Sequence, residues 1–321
     1  MRNSLILGVN GQDGSYLAEI LSDRGDRVHG VGKQSGPRYL PALSSFQYLQ
    51  CDLRDQNALN NALVSASPDE IYHVAAIHGP AGFSYEEVWA ETLDVNVKSL
   101  HTVLEYSRRQ KRDIRIFYAS SGKIFGTPLK NCVCIGSPKR TDCLYSVSKI
   151  AAENLLNFYR KEHGLHACIA YLFNHESVRR PSDYFLPKVM AVLTSAVKQQ
   201  AARTDIFTLD FYCDWGCARE YMNMAVRLIR NEAPEKDLIF ATGRTWYARD
   251  FVKELFLGYG LDHRDYLIEK VPEIDSCPFR VDITETVVHL GSAPSRNIFD
   301  VCREFIDSES PGEGNASRTE R

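Results

Sequence analysis

Leu5-Ile6-Leu7-Gly8-Val9-Asn10-Gly11-Gln12-Asp13-Gly14 is the most informative segment of the chain, because a short apolar run leads directly into three glycines at three-residue spacing. The pattern predicts a strand, a tight turn and the start of a helix. Glycine lets the main chain approach a pyrophosphate, which the helix N-terminus then binds. Glycine-rich turns also have purely structural uses, so the motif alone leaves both interpretations open. The candidate cofactor contacts in this segment are Gly8, Asn10, Gly11, Gln12, Asp13 and Gly14.

The composition is that of a globular protein: of 321 residues, 44% are hydrophobic and 25% are charged, and the formal net charge is −3. That charge argues against binding to nucleic acid or to an anionic membrane surface. No apolar stretch reaches membrane-spanning length and no signal peptide follows Met1, so we expect a cytoplasmic protein. The cysteines include Cys132 with Cys134 and Cys213 with Cys217, but neither has a second pair at zinc-finger spacing. We therefore predict reduced thiols and no metal site.

Strand-like runs alternate with helical patterns through the first half of the chain, which predicts an α/β fold with a doubly wound parallel sheet of the Rossmann type. The candidate strands are residues 5–9, 27–31, 46–53, 70–76, 114–120 and 166–172. Longer helices after residue 174 indicate a smaller C-terminal substrate-binding lobe. The predicted domains are therefore residues 1–173 for the dinucleotide and 174–307 for the lobe, with a return to the main sheet near 237–241. The polar residues 308–321 are expected to be disordered.

The choice of cofactor depends on the end of the second strand, where an acidic residue favours NAD and basic residues favour NADP. This chain has Lys33 and Arg38 there and no acid. We predict NADP, with NAD as the alternative if these cations form only a solvated loop. Asp52 and Leu53 follow the third strand and are expected near the adenine, although Asp52 could equally cap the next helix.

Tyr145 and Lys149 are four residues apart, so they lie on one face of a helix. The lysine can lower the pKa of the phenol, which then acts as a base near neutral pH. Ser121, just beyond the fifth strand, can hydrogen-bond the same substrate oxygen. A tyrosine–lysine pair alone is more often a solvated helix pair. Together with the glycine turn and Ser121, it resembles the extended short-chain dehydrogenases.

Longer motifs resemble the GDP-mannose 4,6-dehydratase family over roughly residues 1–260. These motifs are Gly11-Gln12-Asp13-Gly14-Ser15-Tyr16-Leu17-Ala18-Glu19, Val28-His29-Gly30, Leu172-Phe173-Asn174-His175-Glu176-Ser177 with Arg179-Arg180, and Asp214-Trp215-Gly216 with Ala218-Arg219-Glu220-Tyr221. The resemblance implies that Asn174, Lys188, Arg219 and Arg280 surround a nucleotide-sugar diphosphate, and that His175 and Arg180 lie near the cofactor. Without the motifs, these residues would be a turn asparagine, solvated charges and a core histidine.

The chain departs from the family pattern at three positions. Lys123 stands where the family has the glutamate that serves as acid and base, and Cys213 and Cys217 replace an arginine and a histidine. A lysine acts as a base only if its pKa is strongly depressed. Lys123 is therefore either a catalytic group or a structural salt-bridge partner. Loss of the arginine removes a charge-assisted contact to a diphosphate.

The resemblance implies an NADP-dependent nucleotide-sugar 4,6-dehydratase, which is a lyase that converts GDP-mannose or a related substrate to a 4-keto-6-deoxy sugar. The Lys123 replacement keeps three alternatives open: a 4-epimerase, a 4-ketosugar reductase, and a catalytically reduced cofactor-binding sensor or assembly subunit. By analogy we also expect a homodimer or homotetramer.

Overall fold

The computed structural model describes residues 1–40, 45–126, 128–200, 202–231, 236–274 and 276–309. Within these ranges the strands are β1 (Asn3–Leu7), β2 (Arg27–Gly32), β3 (Phe46–Gln50), β4 (Glu70–His73), β5 (Arg115–Ser121), β6 (Asn131–Val133), β7 (Ala167–Leu172), β8 (Asn174–Glu176), β9 (Thr204–Ile206), β10 (Tyr212–Cys217), β11 (Leu238–Phe240), β12 (Thr245–Tyr247), β13 (Leu267–Glu269) and β14 (Phe279–Val281). The α-helices are α1 (Gln12–Asp23), α2 (Gln56–Ala66), α3 (Trp89–Leu93), α4 (Ser99–Arg109), α5 (Leu144–His163), α6 (Phe185–Val197), α7 (Ala218–Ile229), α8 (Ala248–Leu257), α9 (Thr284–Leu290) and α10 (Ile298–Glu309). None of these helices combines the length and apolar character that a membrane span requires.

A parallel sheet forms the centre of the fold, and its strand order is β11-β7-β5-β4-β1-β2-β3. This confirms the predicted doubly wound architecture and the predicted return to the sheet near 237–241. The third and fourth strands end three residues earlier than predicted, because the chain leaves the sheet to form the loops that carry Asp52 and His78. From β1 the chain continues to β2 and β3 on one side of the sheet, and from β4 it continues to β5 and β7 on the other side. In folds of this kind, the ligand cleft lies at the point between the two strands where the strand order reverses.

The period of the strands places apolar side chains on both faces of this sheet. Leu5 and Leu7 of β1 pack in one buried cluster with residues of α2 and α4, whereas Ile6 packs in a second cluster with residues of α1 and α7. A strand covered on both faces is expected to read as a continuous apolar run, as β1 does. The sheet is thus rigid below its carboxyl edge, where the loops lie.

The lobe has a separate core, in which residues of α6, α8 and α10 pack together with Trp215 of β10. A small sheet of order β12-β10-β8 joins this lobe to the main sheet. The lobe is not contiguous in sequence, since α7 packs on α1 and β11 extends the main sheet. Ser308 and Glu309 end α10 rather than begin the predicted tail, and the other residues of that tail lie outside the described ranges.

A buried ion cluster ties α7 to the amino-terminal edge of the main sheet. Glu70 has 0% exposure and accepts hydrogen bonds from Arg230, at 2.8 Å from Nη2, and from Arg2, at 2.6 Å from Nη1. Asp26, which is also buried, accepts from the same Arg230 group. The cations balance two carboxylates that would otherwise be desolvated without partners.

Replacing Arg230 with methionine removes the shared cation and leaves buried carboxylates without their main partner. We expect Arg230→Met to lower the free energy of unfolding by about 3–5 kcal/mol, measured by urea denaturation. Arg24→Met is the control, since Arg24 contacts Asn223 at an exposed position. Equal denaturation midpoints for Arg230→Met and the wild type would show that the cluster is not stabilising.

Candidate active site

The glycine turn after β1 has a conformation that other residues do not fit. Gly8 has a φ of +95°, and a Cβ there would lie 2.8 Å from the Cα of Ala75. A Cβ on Gly14 would lie 2.2 Å from the carbonyl oxygen of Gly8. Gly11 precedes α1 without a side-chain cap, so the first N–H groups of the helix remain available to an anion. The turn therefore has the geometry of a phosphate-binding site.

The segment after β7 docks onto this turn through side chains of α1. Gln12 Nε2 donates to the carbonyl oxygen of His175 at 3.1 Å, and Ser177 donates to Gln12 Oε1 at 2.8 Å. Asp13 lies 3.0 Å from His175 Nε2. Burial disfavours the charged form of both groups, but their mutual attraction outweighs it. The imidazolium therefore lowers the pKa of Asp13, and the carboxylate raises the pKa of His175. Gln12, Asp13 and His175 thus connect the turn to the segment that leads into the lobe.

Asn10 organises the loop that follows β2. Its side-chain amide donates to Gln34 Oε1, to the carbonyl oxygen of Gly36 and to the hydroxyl of Tyr48, while its oxygen accepts from the backbone N–H of Arg38. Lys33 and Arg38 are exposed in this loop. Asn10 therefore ties the loop that carries both predicted cations to the glycine turn.

Asp52 forms a two-pronged ion pair with Arg54, and these hydrogen bonds lower the pKa of its carboxyl group. The alternative that Asp52 caps residues 54–58 holds only at the start of that stretch, where Asp52 Oδ1 accepts from the backbone N–H of Arg54 at 3.0 Å. Helix α2 itself is capped by Asp55, whose side chain accepts from the N–H groups of Asn57 and Ala58. The side chain of Leu53, the next residue after Asp52, is buried in the core of the main domain. The adenine role of Asp52 and Leu53 remains a prediction.

Ser121, Tyr145 and Lys149 come together between the end of β5 and the first turns of α5. The Ser121 hydroxyl hydrogen-bonds the phenol of Tyr145. Lys149 Nζ donates to the carbonyl oxygen of Ala119 at 2.8 Å and lies 5.7 Å from the centre of the Tyr145 ring. Tyr145 is 5% exposed and Lys149 is 1% exposed, so the predicted trio forms a single buried site.

The expected electrostatics of this trio differ from the observed ones. Burial lowers the pKa of Lys149 to about 7, and burial together with the nearby Tyr85 raises the pKa of Tyr145 above its usual range. The expectation that Lys149 lowers the pKa of the phenol is wrong for the chain by itself, because the desolvated amine carries much less charge at neutral pH. A further positive charge is needed to form the phenolate.

Sequence analysis missed the side chains that enclose Tyr145. His78 meets its ring edge-on at 4.8 Å, Tyr85 lies at 5.6 Å, and Tyr184 stacks on His78. Asn96 holds this arrangement in place: its Oδ1 accepts from the N–H of Ile77, and its Nδ2 donates to Ser148 in α5. The only sequence signal is that His78 follows a buried strand within a glycine-containing loop.

Lys123 lies in the short 3₁₀ turn after Ser121 and is half-buried beside the candidate catalytic trio. Its Nζ is 5.9 Å from the centre of the Tyr145 ring, and burial lowers its pKa. Within the described part of the chain it has no carboxylate partner, so the salt-bridge alternative is wrong there. Lys123 thus remains a candidate catalytic group.

The residues implied for the substrate are not equally placed. Asn174, Lys188 and Arg280 are exposed, on β8, α6 and β14 respectively. Arg219 instead pairs with Glu19 at 2.9 Å on the outer side of α1. Their substrate contacts remain predictions.

Arg180 stacks over the Tyr184 ring at 4.0 Å and lies 3.8 Å from the carboxylate of Glu176. This position joins the docked segment to the rings around Tyr145. Cys213 and Cys217 are buried in the core of the lobe, where Arg296 donates to the sulfur of Cys217 at 3.5 Å. Arg180 is close enough to Lys123 to lower the pKa of its amine, after the larger effect of burial.

Comparisons with known proteins agree with this geometry. The family model described as GDP-mannose 4,6 dehydratase matches residues 5–287. The GDP-mannose 4,6-dehydratase of Vibrio cholerae is 28% identical, with 95% of this chain and 93% of that protein covered. GDP-mannose 4,6 dehydratase 2 of Arabidopsis thaliana is 30% identical, with 86% and 76% covered.

Solved structures show the same fold at lower identity. The UDP-glucose 4-epimerase of Thermotoga maritima, solved with UDP-glucose, has a TM-score of 0.80 at 18% identity, with 95% of this chain and 97% of that chain covered. RMD of Pseudomonas aeruginosa, solved with NADPH, has a TM-score of 0.76 at 17% identity, with 96% and 97% covered. Because the family match spans most of the sequence and includes the glycine turn, Ser121, Tyr145 and Lys149, this chain belongs to the GDP-mannose 4,6-dehydratase family.

Proposed function

We infer that the protein is an NADP-dependent enzyme that oxidises a nucleotide-linked hexose at C4 and then removes water across C5 and C6. The observation that carries this function is the buried contact of Ser121, Tyr145 and Lys149 beside the glycine turn. Family membership supports the dehydratase reaction and GDP-mannose as the first substrate to test.

One group of residues would bind the cofactor, and another would react with the sugar. The glycine turn and the cations Lys33, Arg38 and Arg180 would hold the cofactor. When bound, the cofactor supplies a hydride acceptor and, in its oxidised form, a positive charge that favours the phenolate. Tyr145 takes the proton of the C4 hydroxyl, and Ser121 orients that oxygen.

Lys123 has the chemistry of a proton donor for the departing C6 hydroxyl. Its ammonium is half-buried, has no carboxylate partner within the described residues, and has a pKa lowered by burial. Each of these features makes proton release easier than from a solvated lysine. We assign Lys123 to this step.

Incubation with GDP-mannose and NADP⁺ tests the assignment by its product. A 4-keto-6-deoxy sugar supports the dehydratase, and a C4 epimer supports the epimerase. Net consumption of NADPH with a ketosugar supports the reductase. Bound NADP without turnover of any nucleotide sugar would favour a sensor or an assembly subunit.

We expect Tyr145→Phe to lower the rate of C4 oxidation by at least about 100-fold, because the substituted ring cannot accept the hydroxyl proton. The readout is NADPH absorbance in a single turnover, with NADP⁺ affinity measured in parallel and expected to be unchanged. Tyr159→Phe is the control on the same helix, since its hydroxyl donates to Glu105. Wild-type turnover by Tyr145→Phe would contradict the assigned roles.

The double variant Lys33→Ala/Arg38→Ala tests the choice of cofactor. Loss of two cations that face a 2′-phosphate should weaken NADP⁺ binding by about tenfold or more, equivalent to about 1.4 kcal/mol. NAD⁺ binding should change much less, and calorimetry of both cofactors measures the difference. An equal loss of affinity for NADP⁺ and NAD⁺ would show that these side chains do not contact the 2′-phosphate.

Lys123→Gln separates the two halves of the reaction. We expect C4 oxidation to persist and formation of the 6-deoxy product to slow by about 100-fold, because glutamine supplies no proton to the leaving hydroxyl. Lys161→Gln, exposed in the last turn of α5, serves as a control for general loss of positive charge. A product rate equal to that of the wild type would exclude Lys123 as the donor.

A further inference from the structure

We propose that Nε2 of His78 is the base that removes the C5 proton of the hexose in this protein. The inference rests on the proposed function, since the C5 proton becomes acidic only after C4 has been oxidised. It assigns a catalytic role to a residue outside the Ser121, Tyr145 and Lys149 set.

The position of His78 places its ring at the reacting end of the cleft. His78 lies in the loop after β4 and meets the Tyr145 ring edge-on, with ring centres 4.8 Å apart. Its other neighbour is the Tyr184 ring, stacked at 5.8 Å. A sugar whose C4 hydroxyl contacts Tyr145 would bring the adjacent C5 within reach of a side chain at this distance from the phenol ring.

The hydrogen bonds of Tyr184 identify the tautomer of His78. The Tyr184 hydroxyl donates to the carbonyl oxygen of His78 at 3.0 Å, and the hydroxyl oxygen of Tyr184 lies 2.9 Å from His78 Nδ1. A phenol has one proton, so with that proton on the carbonyl, Nδ1 must be the donor to Tyr184. Nδ1 therefore carries the hydrogen, and Nε2 carries a lone pair.

That lone pair is free to accept a proton. Within the described residues His78 Nε2 has no hydrogen-bond partner. Burial lowers the pKa of His78 well below its ordinary value, and the nearby cations Lys123, Arg180, Lys149 and His175 lower it further. The imidazole is therefore neutral at pH 7, which is the form that a base requires.

Two buried carboxylates of the region are alternatives to His78. Asp13 is held by His175, which lowers the pKa of its carboxyl group. Glu176 lies 3.8 Å from Arg180, and burial raises the pKa of its carboxyl group. We prefer His78 to Glu176 because the His78 ring contacts the Tyr145 ring directly, whereas the Glu176 carboxylate lies beside Arg180.

The step balances in protons and electrons. His78 Nε2 takes the C5 proton, and the electron pair of the C5–H bond forms an enolate with the C4 ketone. As the ketone re-forms, a C5–C6 double bond appears, the C6–O bond breaks, and the hydroxyl leaves as water with a proton from Lys123. Reduction at C6 by the hydride taken from C4 allows His78 to return its proton to C5, and the proton that Tyr145 took from the C4 hydroxyl restores Lys123.

The test uses the full chain in deuterated water with GDP-mannose and NADP⁺. For His78→Gln we expect C4 oxidation to persist, so that NADPH accumulates, while deuterium incorporation at C5 falls by at least about 100-fold. His101→Gln, exposed on α4, is the matched control and should exchange as the wild type does. C5 exchange at the wild-type rate in His78→Gln would overturn the inference while leaving the proposed function intact. If the wild type forms no 4-keto-6-deoxy sugar from GDP-mannose, the proposed function fails, and the C5 role fails with it.

A second measurement needs no turnover. In protein labelled with nitrogen-15 at histidine, the signals lost in His78→Gln identify the ring. At pH 7 we expect Nδ1 to be protonated and Nε2 to be bare. Tyr184→Phe should remove this preference, since it removes the oxygen that Nδ1 donates to. A proton on Nε2 at pH 7, in either the neutral or the charged ring, would overturn the inference.

Discussion

The close approach of two strand ends is the constraint on which the site depends. Gly8 directly follows β1 and has a positive φ, and it lies so near Ala75, just beyond β4, that a Cβ would overlap the backbone there. Any larger residue would push the β4 loop away from the glycine turn. Because that loop also carries His78, one glycine determines both the shape of the glycine turn and the position of a side chain beside Tyr145. Backbone packing at the switch point thus sets the distance between the expected phosphate site and the residues around Tyr145.

Burial determines the charge states in the cleft more than proximity does. Lys149 is close to Tyr145, yet desolvation brings the pKa of its amine to about 7, so the attraction that a charged lysine would exert on the phenolate is weakened. The same desolvation holds the phenol in its protonated form. A cofactor with a positive charge changes this balance directly, since it adds a cation in a medium of low dielectric constant. The catalytic base is therefore expected to become active only when the oxidised cofactor is in place.

Local patterns predicted the parts of the protein that depend on local physics. The apolar runs predicted the main sheet, and the spacing of Tyr145 and Lys149 placed both on one helix face. Contacts between distant segments could not be predicted. Arg219 belongs to a motif that is typical of a substrate site, but in the structure its guanidinium pairs with two carboxylates of α1. Asp55 rather than Asp52 caps α2, because the helix begins three residues later than a cap at Asp52 would require. His78 was missed because its role depends on Tyr184, which is 106 residues away in sequence.

The lysine at position 123 and the neutral imidazole at position 78 are two consequences of one electrostatic change. A carboxylate at position 123 would stabilise a proton on His78 and would itself accept protons near the substrate. Lysine at that position does the opposite, since its charge lowers the proton affinity of His78 and its side chain donates rather than accepts. Under the proposed roles, the two functions of the family's glutamate are divided between two residues: Lys123 keeps the role of acid, and His78 takes the role of base. The chemistry can therefore survive the loss of a carboxylate, provided that a side chain with a bare lone pair is already packed against the phenol.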